Sequence, residues 1–270
     1  LPSAPDSLDA APPPDAAVAL RALPRLDAGA LPGRVVLPCR ALAVTGHPTL
    51  EVDGGARPLA VSDLASGWIT LGAGDAVTAK LPRSGREVSL VGPGLADPCG
   101  AEGEAWVAAG VFRGGRGAGE TPGGEEWVVT PSAVVRYGAA IVEVRVEGGR
   151  VTANLNGGAA SVLSGGIDRQ QASDAGGTTW VPLVAAAAPV VVNGVAPSAA
   201  ANAAAAKRCS DAEADAEAIE AKVLADGGTT APTFADDARH AGEARLLVRA
   251  MCEMAKVQAR AVRSTRGTRN

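Results

Sequence analysis

A mainly β fold, an antiparallel sandwich or rolled sheet followed by an antiparallel α-helical hairpin, is what this sequence predicts. Three observations carry that expectation. Short apolar runs separated by Gly, Pro and Asp fill residues 33–195. No helical pattern of ten to fifteen residues separates them, which argues against a doubly wound sheet. Two long Ala-rich stretches with helical periodicity then close the chain.

In the β region, "TLEVD", "WITLGAGDAVTAKL", "EVSLVGPG", "EAWVAAGVF" and "EEWVVTPSAVV" read as strands or strand–turn–strand units. The clearest hairpin is "EVRVEGGRVTANL", Glu143 to Leu155. A Gly148-Gly149 turn pairs Glu147 with Arg150, Val146 with Val151, Val144 with Ala153 and Val142 with Leu155. Alternation then puts Val142, Val144, Val146, Val151, Ala153 and Leu155 on a buried face. Glu143, Arg145, Thr152 and Asn154 go to a wet one.

Residues 198–225 and 234–263 read as helices joined by "DGGTTAPT", a loop that glycine opens and proline closes. In the first helix Ala205, Cys209, Ala212, Ala216, Ile219 and Val223 form a heptad-like seam. In the second, Val248, Cys252, Ala255, Ala259 and Val262 form a stripe flanked by Leu247, Met251 and Met254. Cys209 lies about 17 residues before the loop and Cys252 about 18 after it, so an antiparallel pair brings them to one height. Alanine faces allow the close approach that a disulfide needs. A Cys209–Cys252 bond is therefore expected, and Cys39–Cys99 follows by elimination. Two disulfides imply an oxidising, extracytoplasmic location.

The remaining segments read simply. Residues 1–32 begin "LPSAPDSLDAAPPPDA", with three Asp, five Pro and no basic residue, too polar and proline-rich to form a core. The composition suits a tether from a lipid anchor outside the chain or from an upstream domain, and equally a ragged terminus. Residues 264–270 form a short basic tail. Basic residues late in a helix suit its dipole without any partner.

Chemistry is hard to find. The net charge of -4 gives no attraction to nucleic acid or an anionic membrane. No Ser sits in a G-x-S-x-G elbow, and neither His47 nor His240 belongs to a visible triad or zinc pattern. "GGRGAG", Gly114 to Gly119, lacks the Lys-Ser/Thr ending of a phosphate loop and reads as a hairpin connection. Asp211, Glu213, Asp215, Glu217 and Glu220 read as a solvated helix face. No catalytic activity, metal or cofactor is expected. Aromatics are only 3% of the chain, and Trp68, Trp106, Trp127 and Trp180 all fall in the β region. Most are expected in the core; one or two exposed would mark a binding surface.

The stretch from Gly67 to Gly94, "EAWVAAGVFRGG" and Glu125 to Val162 together resemble a FecR-type domain over about 65–165. Matching positions are Val128, Thr130, Pro131, Ala133, Val135, Gly138, Val142 and Val144, with Gly149, Val151 and Ala153 in the following hairpin. Ala139 and Ile141 depart from the family's Thr and aromatic, and the helical hairpin has no counterpart in it. The resemblance implies an all-β, mostly periplasmic module; its best-known members relay signals from an outer-membrane receptor to an anti-sigma system. The expectation is thus a non-catalytic envelope interaction module with a protein partner. The alternative is a polysaccharide- or peptidoglycan-binding structural protein, which needs a groove of exposed tryptophans.

Overall fold

The computed structural model describes residues 39–52, 55–81, 84–100, 104–115, 125–138, 140–165, 180–185, 187–225 and 234–267. The expected tether, most of the "GGRGAG" loop, the helix–helix loop and the last three residues of the basic tail lie outside them.

Among the described residues, fourteen strands form one continuous sheet. They are β1 (Arg40–Thr45), β2 (Thr49–Val52), β3 (Gly55–Pro58), β4 (Ile69–Leu71), β5 (Ala76–Lys80), β6 (Glu87–Asp97) and β7 (Ala105–Gly114). Then come β8 (Glu126–Val129), β9 (Ala133–Tyr137), β10 (Val142–Glu147), β11 (Arg150–Leu155), β12 (Ala160–Ser164), β13 (Val181–Leu183) and β14 (Val190–Asn193). Two described helices follow, α1 (Ala199–Ala225) and α2 (Phe234–Gly267). The fold is a mixed, mostly antiparallel sheet domain followed by a two-helix hairpin.

Two pairing paths cross the sheet. One runs β13-β12-β9-β8-β7-β6-β4-β2-β3, the other β1-β5-β6-β7-β10-β11-β14. The long strands β6 and β7 belong to both. Residues 87–91 of β6 pair with β5 while 94–96 pair with β4, and β7 gives its start to β8 and its end to β10. "VGPG" lies inside the continuous strand β6 and is the bend at which β6 passes from one layer to the other. The register shifts between Val91 and Leu95. Gly94 lies so close to the facing strand that a Cβ would sit 2.4 Å from the Ala109 carbonyl oxygen. Gly110 opposite has a φ of 103°, a conformation that glycine adopts readily.

Both layers contribute to one core. Leu50, Ile69, Val128 and Val135 meet Val77, Leu90, Phe112 and Val144 there. The Glu143–Leu155 hairpin has the register read from the sequence, with Val142 opposite Leu155 and Glu147 opposite Arg150. Gly148 and Gly149 take φ of 58° and 91°, as a tight two-residue hairpin turn requires.

The β7–β8 pair is parallel, Ala105 opposite Val128 and Trp106 opposite Val129, where only antiparallel pairing was expected. The reason lies in strand order: the end of β7 pairs with β10 in one layer, while the last residues of β8, Val128 and Val129, lie beside the start of β7 in the other.

Ser198 caps α1, its Oγ accepting from the Ala201 N–H at 3.1 Å. Ala205, Ala212 and Ala216 of the seam are buried against α2. The second helix continues to Gly267, four residues beyond the expected end at 263. Thr265 lies on this added turn, and its hydroxyl donates to the Val262 carbonyl at 2.9 Å.

Candidate functional site: a tryptophan–arginine seam between sheet and helix

Four strands of the first pairing path are buried on both faces. In β7, β8, β9 and β12, Val107, Val128, Val135 and Val162 point into the main core. The alternate residues Ala108, Trp127, Val129, Val134 and Leu163 point outward, into a second core. That second core is closed by α2 through Ala250, Met254, Val257 and Ala261. These lie at steps of four, three and four, one face of a helix. So α2 carries two apolar stripes, one for α1 and one for the sheet. The second stripe is present in the sequence, where Leu247, Met251 and Met254 read as flanks of the first.

All four tryptophans lie at this seam, and they form two pairs. Trp68 and Trp106 have ring centres 5.9 Å apart, Trp127 and Trp180 5.8 Å. Three rings carry a guanidinium on their face: Arg260 on Trp68 at 5.5 Å, Arg249 on Trp127 at 4.6 Å, and Arg136 on Trp180 at 4.3 Å. Arg249 and Arg260 are eleven residues apart on α2, three helical turns, so both face the sheet. Trp127 is buried, and the other three are partly buried against the second core. Trp106 lies against Trp68 on one side and Gly100 on the other, where a Cβ would meet its ring at 2.7 Å.

The seam also holds ionisable groups. Glu104, 2% exposed just before β7, accepts from Arg249 Nε at 2.6 Å. Burial pushes its carboxyl up to about 7; Arg249 opposes this and the neighbouring Glu253 adds to it. The Trp106 indole N–H lies close enough to favour the anion, yet outside hydrogen-bond geometry, so Glu104 Oε2 has no hydrogen bond. Glu253, also buried, pairs through Oε1 with Lys256 at 2.7 Å, while its Oε2 has none. Arg260 forms a salt bridge with Glu51, reaching from α2 to β2. At the end of β6, Asp97 is pushed up to about 6 by burial, opposed by backbone N–H donation from Cys99 and Gly67.

Cys39 and Cys99 are joined, with Cα atoms 5.8 Å apart, tying the start of β1 to the segment after β6. Cys209 and Cys252 are joined across the two helices, Cα atoms 4.6 Å apart. Glu213, one turn after Cys209, brings Oε1 to 3.8 Å from Cys252 Sγ. These three residues are the one candidate metal-ligand cluster among the described residues, and both sulfurs are committed to the disulfide.

The other candidates take structural parts. The His47 backbone N–H donates to Asp75 Oδ1 at 2.9 Å, and Gly72 donates to Oδ2 at 2.7 Å. Those two bonds hold the Asp75 carboxyl below its ordinary range. His240 lies exposed on α2. Thr130 Oγ1 donates to the Ala133 carbonyl at 2.7 Å and accepts its N–H, tightening the β8–β9 turn. Ser132 donates to the Gly149 carbonyl at 3.0 Å, and Ser161 accepts from Arg136 at 2.7 Å. On α1, Asp211 accepts from Lys207 at 2.8 Å, and Glu220 pairs with Arg245 of α2. No described helix is long and apolar enough to cross a membrane.

No family model matches the chain, and no curated protein matches it. Among solved structures, the chain is similar to a protein from Parabacteroides distasonis that bears a provisional description as an anti-sigma factor. The identity is 14% and the TM-score 0.33, over 52% of this chain and 64% of that one. The chain thus spans less than two thirds of that structure, and a likeness at this level carries no argument about activity.

Proposed function

We propose that the protein is a non-catalytic interaction module of the cell envelope, a FecR-like β domain that presents a rigid helical hairpin to a protein partner. The observation that carries this reading is how α2 is fixed. Sheet-facing residues of α2 begin at Leu247 and Arg249. Residues 234–246 precede them, about 20 Å of helix at 1.5 Å per residue, and face α1 through contacts such as Arg245–Glu220. The hairpin end therefore extends beyond the seam, and it exposes Leu224 at 75% and Leu246 at 39%. Anchoring by stacked arginines and a disulfide gives that end the preorganisation that favours docking.

The glycan-binding alternative requires tryptophan faces open to solvent in a row. Arginines stack on Trp68, Trp127 and Trp180, and Trp106 is held between Trp68 and Gly100, so the arrangement favours a protein partner. The two disulfides support an extracytoplasmic location.

The test is photo-crosslinking in the native host, with a photoreactive residue at Leu224 or Leu246 and controls at Val61 and Val184 on the β domain. A discrete adduct of defined mass from the hairpin positions, recovered in the envelope fraction, is the expected result. Adducts from the β-domain positions alone, or a cytosolic pool, would overturn the reading.

A further inference from the structure

The two disulfides differ in access. Cys39 and Cys99 are 0% and 3% exposed inside the main core, whereas Cys209 and Cys252 are only half-buried on the hairpin. Thiol–disulfide exchange requires a reductant thiolate to reach a sulfur, so access governs which bond opens. The packing of α1 differs from that of α2 as well. Its extensive packing is against α2, and the side chains it buries are Ala205, Ala212 and Ala216, each contributing a single methyl. An exposed Glu220–Arg245 pair and the Glu213 carboxylate beside Cys252 Sγ are further contacts between the helices, and exposed pairs hold weakly. By contrast α2 keeps its own anchors on the sheet: Met254, Val257, Arg249 and Arg260.

We infer that Cys209–Cys252 is a reducible clasp: a dithiol reductant opens it while Cys39–Cys99 stays closed, and α1 then separates from an α2 that remains docked. One reductant thiolate attacks a sulfur of the clasp, forms a mixed disulfide and releases the other sulfur as a thiolate that takes up a proton. The second reductant thiol displaces the mixed disulfide. The protein gains two thiols, and the reductant leaves as its own disulfide, two electrons oxidised. Opening bares the stripe formed by Val248, Cys252, Ala255 and Ala259 on α2. The inference stands on burial and packing and does not depend on the envelope reading.

The experiment is graded reduction of the full chain with dithiothreitol, quenching with N-ethylmaleimide, and peptide mapping alongside hydrogen exchange. Cys209 and Cys252 should label about tenfold faster or more than Cys39 and Cys99. At that stage amides of 199–225 should lose protection while those of 247–262 keep it. The C209S/C252S double variant, without reductant, should show the same exchange pattern. Equal labelling of all four cysteines would overturn the inference. So would α1 protection that survives opening of the clasp, or loss of protection in both helices together.

Discussion

Arg249 lies 4.6 Å from the centre of the Trp127 ring while its Nε donates to Glu104 at 2.6 Å. One side chain of α2 thus covers an aromatic face and neutralises a carboxylate that the sheet has taken out of water. Removing it exposes two unequal debts. Arg249→Met should destabilise the protein by about 2–4 kcal/mol, mostly because Glu104 is left buried without its counter-ion. In an Arg249→Met/Glu104→Gln double variant much of that loss should return, since neither charge then needs a partner. Urea unfolding of the four proteins in the cycle measures the coupling; independent, additive effects would contradict the pairing.

Trp127 belongs to the same contact but acts through area. Trp127→Ala should cost about 3–5 kcal/mol, the range for emptying a large aromatic site. Its effect should appear first as lost hydrogen-exchange protection in α2, before the Glu143–Leu155 hairpin is affected. Loss confined to the hairpin would place Trp127 in the wrong core.

Two buried carboxyls set the pH response. Glu104 is raised to about 7 and Asp97 to about 6, whereas an unfolded chain releases these protons near its ordinary carboxyl values. Between the two ranges the folded state holds more protons, so stability rises as pH falls from about 8 to about 5. The gain should be on the order of 1–3 kcal/mol, read as a higher urea midpoint at the lower pH. It reverses below about 4, where Asp63 and Asp75, both held below their ordinary range, lose their hydrogen-bonded anions. Glu104→Gln should flatten the upper part of the curve.

The bend in β6 makes a backbone prediction. Gly94→Ala would force a methyl to 2.4 Å from the Ala109 carbonyl oxygen and should destabilise by about 2 kcal/mol or more. Gly55→Ala, with open space around its Cβ position, should change stability by less than about 0.5 kcal/mol. Thermal unfolding of the pair separates a required close approach from a generic loss of glycine.

How much of this was legible depended on whether the signal was local. The Glu143–Leu155 register follows from period-two alternation around two glycines, and the structure repeats it pair for pair. The α1 seam followed from heptad spacing, and Ala205, Ala212 and Ala216 are its buried members. What escaped was non-local. No pattern in "EVSLVGPG" reveals that β6 serves two layers, because that depends on partners β4 and β5 on either side of the bend. The pattern of apolar runs puts the tryptophans on strands of the β region. Trp106 and Trp127 do lie on strands, but Trp68 and Trp180 sit just before β4 and β13, and all four join the second core, to which the α2 stripe brings residues about 70 to 190 positions away along the chain. A second apolar periodicity on α2, Ala250–Met254–Val257–Ala261, was the available hint.

Two disulfides join the four cysteines, and the proposed envelope location rests on them. Intact mass of the protein from its native host, alkylated before and after reduction, addresses it directly. The account predicts no alkylation before reduction, four alkylated cysteines after it, and a Cys209–Cys252 linked peptide in the unreduced digest. Four cysteines alkylated without reduction would contradict it, and would remove the envelope location along with the clasp.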